Sequence, residues 1–396
     1  MNLFLNKFFS NTPVINIPML SRNCNSYSTA MQGPDKDTFE KSCSSSNISF
    51  TGKRSSGSTK KGECLKELEN ITCPYSGVKM ITSKNMDRIE AKLAKCNTIG
   101  ERMEILDLYR PCMQKLEKQV YQVFKGYEIN NPDGSLNDCL QQLKPDCLTE
   151  LRLSQVRVLE DIDRASNKFD SKTALAVRKV TTEARKKIID DTQDQIFKRK
   201  DILVELHDVT KDNPNKELVA DIWAIANQLP KSTNDFNAFV VKYANRSPQE
   251  IAARLLRPSV ASIEHIRPAN PESLDVEVGE DNLSNFMLAS RDWNSGRSNT
   301  PLPEFIKRHP NILKYSQKYI DDIIKSIHKG KLEDCDWYPY VIKEKLYNES
   351  EGLIDLDLGK YKISKAQAFE NIPPEILDTY DKLSEQNGIM RTFIEN

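Results

Sequence analysis

The stretch Ser259-Val260-Ala261-Ser262-Ile263-Glu264-His265-Ile266-Arg267-Pro268 decides how this chain reads. Before it the sequence carries mostly helical spacing. Here it changes to strand-like alternation that ends at Arg267-Pro268. An acidic loop bearing Pro and Gly follows, from Pro271 to Asp281. Phe286-Met287-Leu288-Ala289 is a short apolar run suited to a second strand. Asp292 can cap a helix beginning at Trp293-Asn294, and Pro301 and Pro303 end one helical piece and start the next. The order is strand, loop, strand, helix, compact enough to build one site.

Four histidines occur in the chain: His207, His265, His309 and His328. His207 falls on a predicted helix, and His309 and His328 at helix ends. Only His265 ends a strand beside a carboxylate, ahead of a segment rich in Asn. Phosphodiester hydrolysis needs a base near neutrality, which imidazole supplies best. It needs a hard cation on oxygen ligands to neutralise the phosphoryl oxygens. It also needs a group that fixes the imidazole. Glu264 and His265 are neighbours on a strand, so their side chains point to opposite sides. They share a site only if the strand twists or turns there, which Pro268 allows. Asn285 opens the second strand, and Asn294 follows nine residues later in the first turn of the helix.

These residues resemble the HNH, or ββα-metal, endonuclease motif. Glu264-His265-Ile266-Arg267-Pro268 matches its first strand. Asp281-Asn282-Leu283-Ser284-Asn285-Phe286-Met287-Leu288 matches the loop and second strand, and Asn294-Ser295-Gly296-Arg297-Ser298-Asn299 the helix. The resemblance spans residues 259–310, and is closest to the variant whose last position is Asn rather than His, as in the HNH domains of CRISPR effector nucleases. It implies His265 as the general base, with Asn285 bracing the loop and helping to fix the imidazole. It implies Glu264 and Asn294 as protein ligands of one divalent metal, Mg²⁺ with Mn²⁺ as the alternative. It further implies Arg297 holding a phosphate, Asn299 adding a contact, and Arg267 and Arg291 in a nucleic-acid-binding set. The family more often has Asp where Glu264 stands.

Many members of that family carry a structural zinc on two CxxC pairs. Cys73-Pro74-Tyr75-Ser76-Gly77 looks like the first pair with its second Cys lost, and Ser290-Arg291-Asp292-Trp293 like the second with both lost. One thiolate cannot hold a tetrahedral zinc, so structural Zn²⁺ is not expected and Trp293 is expected to fill part of the space.

Outward from this unit the chain is largely helical. Residues 98–125 have apolar positions near helical spacing, interrupted at Pro111. Asn131-Pro132-Asp133-Gly134 signals a turn. Residues 148–169 and 171–209 then read as two helices, the second unusually long, closed by Asn213-Pro214-Asn215. The long helix carries Arg178, Lys179, Arg185, Lys186, Lys187, Lys198, Arg199 and Lys200. That is either a solvated face on a coiled-coil-like hairpin or a basic rail along a nucleic acid. Residues 311–329 and 365–390 read as further helices.

The chain has 396 residues with 57 Lys+Arg against 57 Asp+Glu, 29% charged and 38% hydrophobic. This excludes collagen-like and wholly disordered chains, and no apolar stretch is long enough to span a membrane. The nine cysteines include no CxxC pair, and read as reduced thiols. The zero net charge hides opposite ends. Residues 1–62 carry eight Lys/Arg against three acids, and residues 331–396 eight against fourteen.

The expected fold class is mainly α with a small α+β unit. Residues 1–62 form a disordered basic Ser-rich tail, read as a flexible tail with a targeting segment as the alternative. Residues 63–257 form a mostly helical domain or insertion, 258–330 the ββα-metal core and following helices, and 331–396 an acidic helical C-terminal region. The resemblance implies a metal-dependent DNA endonuclease with DNA as partner and no membrane. The alternative is a non-catalytic structural or nucleic-acid-binding protein that retains the fold. The cytoplasm is the expected compartment. Lys- and Asn-rich usage is compatible with a phage or mobile-element origin, acting in a host cytoplasm or packaged in a virion.

Overall fold

The computed structural model describes residues 62–190, 199–269, 278–332 and 335–361. In chain order its helices are α1 (Glu63–Lys66), α2 (Ser83–Leu93), α3 (Ile99–Leu108), α4 (Lys115–Asn130), α5 (Leu136–Ser166), α6 (Ser171–Asp190), α7 (Arg199–Thr210), α8 (Lys216–Ala226), α9 (Phe236–Tyr243) and α10 (Pro248–Arg254). Then come β1 (Ala261–His265), β2 (Phe286–Ser290), α11 (Arg291–Arg297), α12 (Leu302–Arg308), α13 (Ile312–Ile327) and α14 (Tyr338–Glu349). The fold is mainly helical with one two-stranded antiparallel sheet among the described residues. The expected helix at 365–390 and the N-terminal tail up to residue 61 lie outside those residues. Among the described residues no helix is long and apolar enough to cross a membrane.

The described chain divides into two compact units, one of residues 98–100 and 119–251, the other of residues 62–97, 101–118 and 252–361. In the first unit α5 packs on α6, α8 and α9, and α6 on α7. Its core joins Leu159, Ile162, Val177, Leu206, Ile222 and Leu229. Ser135 starts α5 with a reciprocal capping box to Asp138, satisfying two end donors at once. That cap places the helix start twelve residues before the expected one at 148, and Pro145 lies inside the helix. Proline removes one helical hydrogen bond. The helix persists because Leu140, Leu143, Cys147 and Leu148 on both sides of Pro145 are buried.

The expected single helix over 171–209 is corrected. α6 and α7 are separate and pack against one another, with Ile188, Ile202 and Leu203 in one core. A continuous helix would hold those residues about 20 Å apart at 1.5 Å per residue. Arg199, expected on the basic rail, is instead buried at 7% exposure and bonded to Asn227.

In the second unit β1 pairs with β2 from Ala261↔Ser290 to His265↔Phe286. Residues 72–79 form a tight turn, with Thr72 bridged to Lys79. Gly77 takes a φ of +70° there, and a Cβ on it would lie 2.5 Å from the Tyr315 ring, so only glycine fits. Ile81 runs parallel to Val260 and extends the sheet by one bridge. The far edge of β2 is closed by two buried tyrosines. The Leu288 N–H donates to the Tyr319 hydroxyl at 3.1 Å, and the Tyr338 hydroxyl donates to the Phe286 carbonyl at 2.8 Å. Burial pushes the Tyr319 hydroxyl up to about 12. All of β2 is buried, as its continuous apolar run requires. β2 then runs straight into α11, so the N-cap is Ser290 and Asp292 falls in the first turn rather than capping it.

Candidate functional site

β1 delivers Glu264 and His265 to opposite faces of the sheet, as strand alternation requires. α11 lies on the Ser262/Glu264 face. Asn294 in its first turn donates from Nδ2 to the Ile263 carbonyl at 2.8 Å and to the Ser262 hydroxyl at 3.0 Å. Among the described residues no donor reaches Asn294 Oδ1.

Glu264 is 3% exposed. Its Oε1 accepts the Tyr75 hydroxyl at 3.0 Å and the Arg297 guanidinium. Its Oε2 takes no donor among the described residues. Burial pushes the carboxyl above its ordinary value, against the pull of the guanidinium. The expected metal ligand is therefore half engaged inside the protein.

Arg297 corrects the sequence expectation. It is 1% exposed rather than on the surface, so it does not present a phosphate contact. Besides Glu264 it donates to Tyr75, to the His265 carbonyl at 2.9 Å, the Ile266 carbonyl at 2.6 Å and the Thr300 carbonyl at 3.2 Å. It clamps the main chain where β1 ends. Burial disfavours its charge, but the oxygens of Tyr75 and Glu264 outweigh this and hold it above its ordinary value. Arg297 also supplies the physical reason α11 ends where it does. Ser298 follows at φ +50°, turning the chain so that Thr300 O meets the guanidinium.

His265 keeps 32% of its side chain exposed, with Nε2 3.5 Å from Asp281 Oδ1. Its ring stands edge-on to Phe286, centroids 4.8 Å apart. Asn285 is fully buried and braces both stems of the β1–β2 loop. Its Nδ2 donates to the carbonyls of Arg267 and Glu280, each at 3.0 Å, and its Oδ1 accepts from the Arg267 N–H at 2.8 Å. Gly279 makes this approach possible, since a Cβ there would fall 2.0 Å from the Arg267 carbonyl oxygen.

Arg267 is engaged by Glu349 at 2.7 Å. Glu349 also lies 3.6 Å from the Lys345 ammonium, which binds Glu280 at 2.7 Å. Lys345 is 0% exposed. α14 thus grips Arg267 on one stem and Glu280 on the other, and Lys345 holds Glu280 below its ordinary value despite burial. Arg291 is half-buried near Arg257 and Glu90, and burial together with Arg257 lowers its value. Asn299 is half-buried. Neither Arg267 nor Arg297 is a free cation for nucleic acid.

The structure brings Cys73 to Ser290. The Cys73 thiol and Ser290 exchange hydrogen bonds at 3.4 Å, and Gln114 donates to the Ser290 hydroxyl at 3.3 Å. The Trp293 indole donates to Gln114 at 3.0 Å, while its ring packs edge-on to Phe305 and His309. A thiol–hydroxyl–amide–indole chain fills this place.

Sequence reasoning missed Asp281, Tyr75, Gly279, Glu280, Lys345 and Glu349. Only Asp281 and Gly279 carried a signal, as the acid and the glycine nearest Asn285. No family model matches the chain, and no curated protein or solved structure matches it either.

Proposed function

We propose that the chain is a metal-dependent endonuclease of the HNH type that hydrolyses DNA phosphodiester bonds. The observation that carries this reading is Asn294. Its amide is tied to β1 on the Glu264 face while its oxygen stays without a donor, which supports the cation half of the reading; His265 points to the other face of β1, so it meets the same phosphate only around the strand end at Arg267-Pro268. Glu264 Oε2 and Asn294 Oδ1 are hard oxygen donors that would hold a divalent cation. Among the described residues no group of three or more His, Cys, Asp or Glu forms a metal cage. Two protein oxygens with retained waters suit Mg²⁺, which dehydrates reluctantly. When bound, the cation neutralises charge on the phosphoryl oxygens.

The residues do the rest. In this reading His265, with Nε2 3.5 Å from Asp281 Oδ1, is the base that takes the proton from the attacking water. The Asp281 carboxylate then stabilises the imidazolium. Asn285 and Arg297 hold the backbone at both ends of the His265–Arg267 segment, so the imidazole keeps its aim.

The test is nicking of supercoiled plasmid with Mg²⁺, with Mn²⁺ and with EDTA. His265→Ala should lose at least ~10²-fold, the usual contribution of a general base. A His265→Ala protein that cuts as well as the parent refutes the mechanism. One observation favours the second reading, a nucleic-acid-binding protein that does not cut: Arg297 already occupies Glu264 Oε1. That reading expects DNA binding with no cleavage under any metal.

A further inference from the structure

α6 presents a line of cations that the proposed chemistry does not use. Its buried residues Val177, Thr181, Ala184 and Ile188 face the core. Diametrically opposite lie Lys172, Leu175, Lys179, Thr182, Lys186 and Ile189, all exposed. Successive members are three or four residues apart, so they fall on one stripe. The three lysines recur every seven residues and stand about 10.5 Å apart, about 21 Å end to end.

Two of the cations flanking this stripe meet acids of neighbouring helices, and a third meets an amide. Arg185 binds Asp163 at 2.6 Å, Lys187 lies 3.9 Å from Glu205, and Arg178 donates to Asn167. Among the described residues no ion pair engages the side chains of Lys172, Lys179 or Lys186. The acids of neighbouring helices thus quench Arg185 and Lys187 and leave Lys172, Lys179 and Lys186 in a straight, evenly spaced row, with the exposed acid Glu183 of α6 beside it.

We infer that this row is a docking rail for the phosphate backbone of DNA. The inference rests on the nuclease reading for its choice of partner, and concerns residues that reading does not use. Duplex DNA carries one charge per about 1.7 Å of axis, so three point charges over 21 Å always find phosphates without fixed register. Lysine suits this, being a flexible point charge rather than a bidentate fork. Thr182 adds a hydroxyl between the second and third lysines. Binding through such a row is independent of sequence and strongly salt-dependent.

The experiment uses the full chain with EDTA present, so that no cleavage occurs, and a fluorescein-labelled 20-base-pair duplex. Anisotropy is followed from low to moderate salt. The parent is compared with a triple Lys172→Gln, Lys179→Gln, Lys186→Gln variant. A second triple, Lys84→Gln, Lys92→Gln, Lys95→Gln, makes the same change of net charge on exposed lysines in and just beyond α2. The rail predicts that the slope of log affinity against log salt falls by about 2.7 for the α6 triple, about 0.9 for each phosphate no longer neutralised. The α2 triple should fall by less than one. A Lys→Arg triple on α6, which keeps charge and helix, should restore the parent slope. Equal slopes for parent and α6 triple overturn the inference, as do equal losses from both Gln triples. Change of oligomeric state in the α6 triple with unchanged DNA slope overturns it in favour of a protein partner. Failure of plasmid nicking alone leaves these slopes unaffected, so the two readings fall separately.

Discussion

Arg297→Met should destabilise the second unit by about 4 kcal/mol at neutral pH. Arg297 and Glu264 are 1% and 3% exposed. Removing one partner of a buried pair typically costs ~3–5 kcal/mol, because the other charge remains. Three main-chain carbonyls, those of His265, Ile266 and Thr300, also lose their Arg297 donor. Each such loss costs about 1 kcal/mol or more when water cannot replace it. One effect limits the sum. The Glu264 carboxyl is already pushed up by burial, and without the guanidinium it protonates more readily. In the variant its folded value lies still further above the unfolded one. The penalty should therefore grow as pH rises from the unfolded carboxyl range through that raised value, and shrink in acid. Adding Glu264→Gln should recover about 2 kcal/mol, since no charge is then stranded. The assay is equilibrium urea unfolding followed by Trp293 and Trp337 fluorescence, in a Trp223→Phe background that silences the other unit. A single variant within about 1 kcal/mol of its parent would refute the clamp. Strict additivity of the two substitutions would refute the pairing.

Gly279→Ala places a Cβ against the Arg267 carbonyl and Asn285 Nδ2, so the two loop stems must separate; we expect a loss of about 2 kcal/mol or more in urea unfolding, with amide exchange at Arg267 accelerated, and an unchanged exchange rate would contradict the brace. Lys345→Met strips Glu280 of its buried partner, which should cost about 2 kcal/mol, less than a fully buried break because Glu280 is 30% exposed; if nicking is observed, kcat should fall with little change in KM. Asp322 and Glu280 are both held below their ordinary values, against burial, by hydrogen bonds and charge from Lys79 and Thr72 and from Lys345 respectively. Their stability contribution is fully present above the unfolded carboxylate range, near pH 4, and is lost as pH falls through their lower folded values. Thermal melts from pH 7 to pH 3 should show that loss, and Asp322→Asn should reduce it; an acid profile identical to the parent's would remove Asp322 from the account.

Much of the local structure was legible because it rests on neighbours in the chain. Alternation over 260–266, the apolar run at 286–289 and the break at Pro111 each follow from period and proline chemistry. The spacing of Asn285 and Asn294 placed one at the mouth of β2 and the other in the first turn of α11, as observed. Other features rested on partners distant in sequence. Tyr75 lies 189 residues before the Glu264 it bonds. Lys345 and Glu349 read as members of an acidic tail, although they grip the loop stems at Glu280 and Arg267. Arg297, in a polar helix of seven residues, gave no sign that it would be buried. The helix over 171–209 looked continuous because no Gly or Pro interrupts that stretch of sequence.

From residue order alone came the elements, their type and the pairing of an acid and a histidine at one strand end. Those depend on backbone periodicity and on turn residues, which act over a few positions. Tertiary structure decided how those groups are used. Burial set Glu264 and Arg297 against each other, since neither charge can be left alone away from water. It also paired Arg185 and Lys187 of α6 with acids of neighbouring helices and left Lys172, Lys179 and Lys186 without such a partner among the described residues. Which charge meets which partner depends on packing between segments far apart in the chain, and no local pattern encodes it.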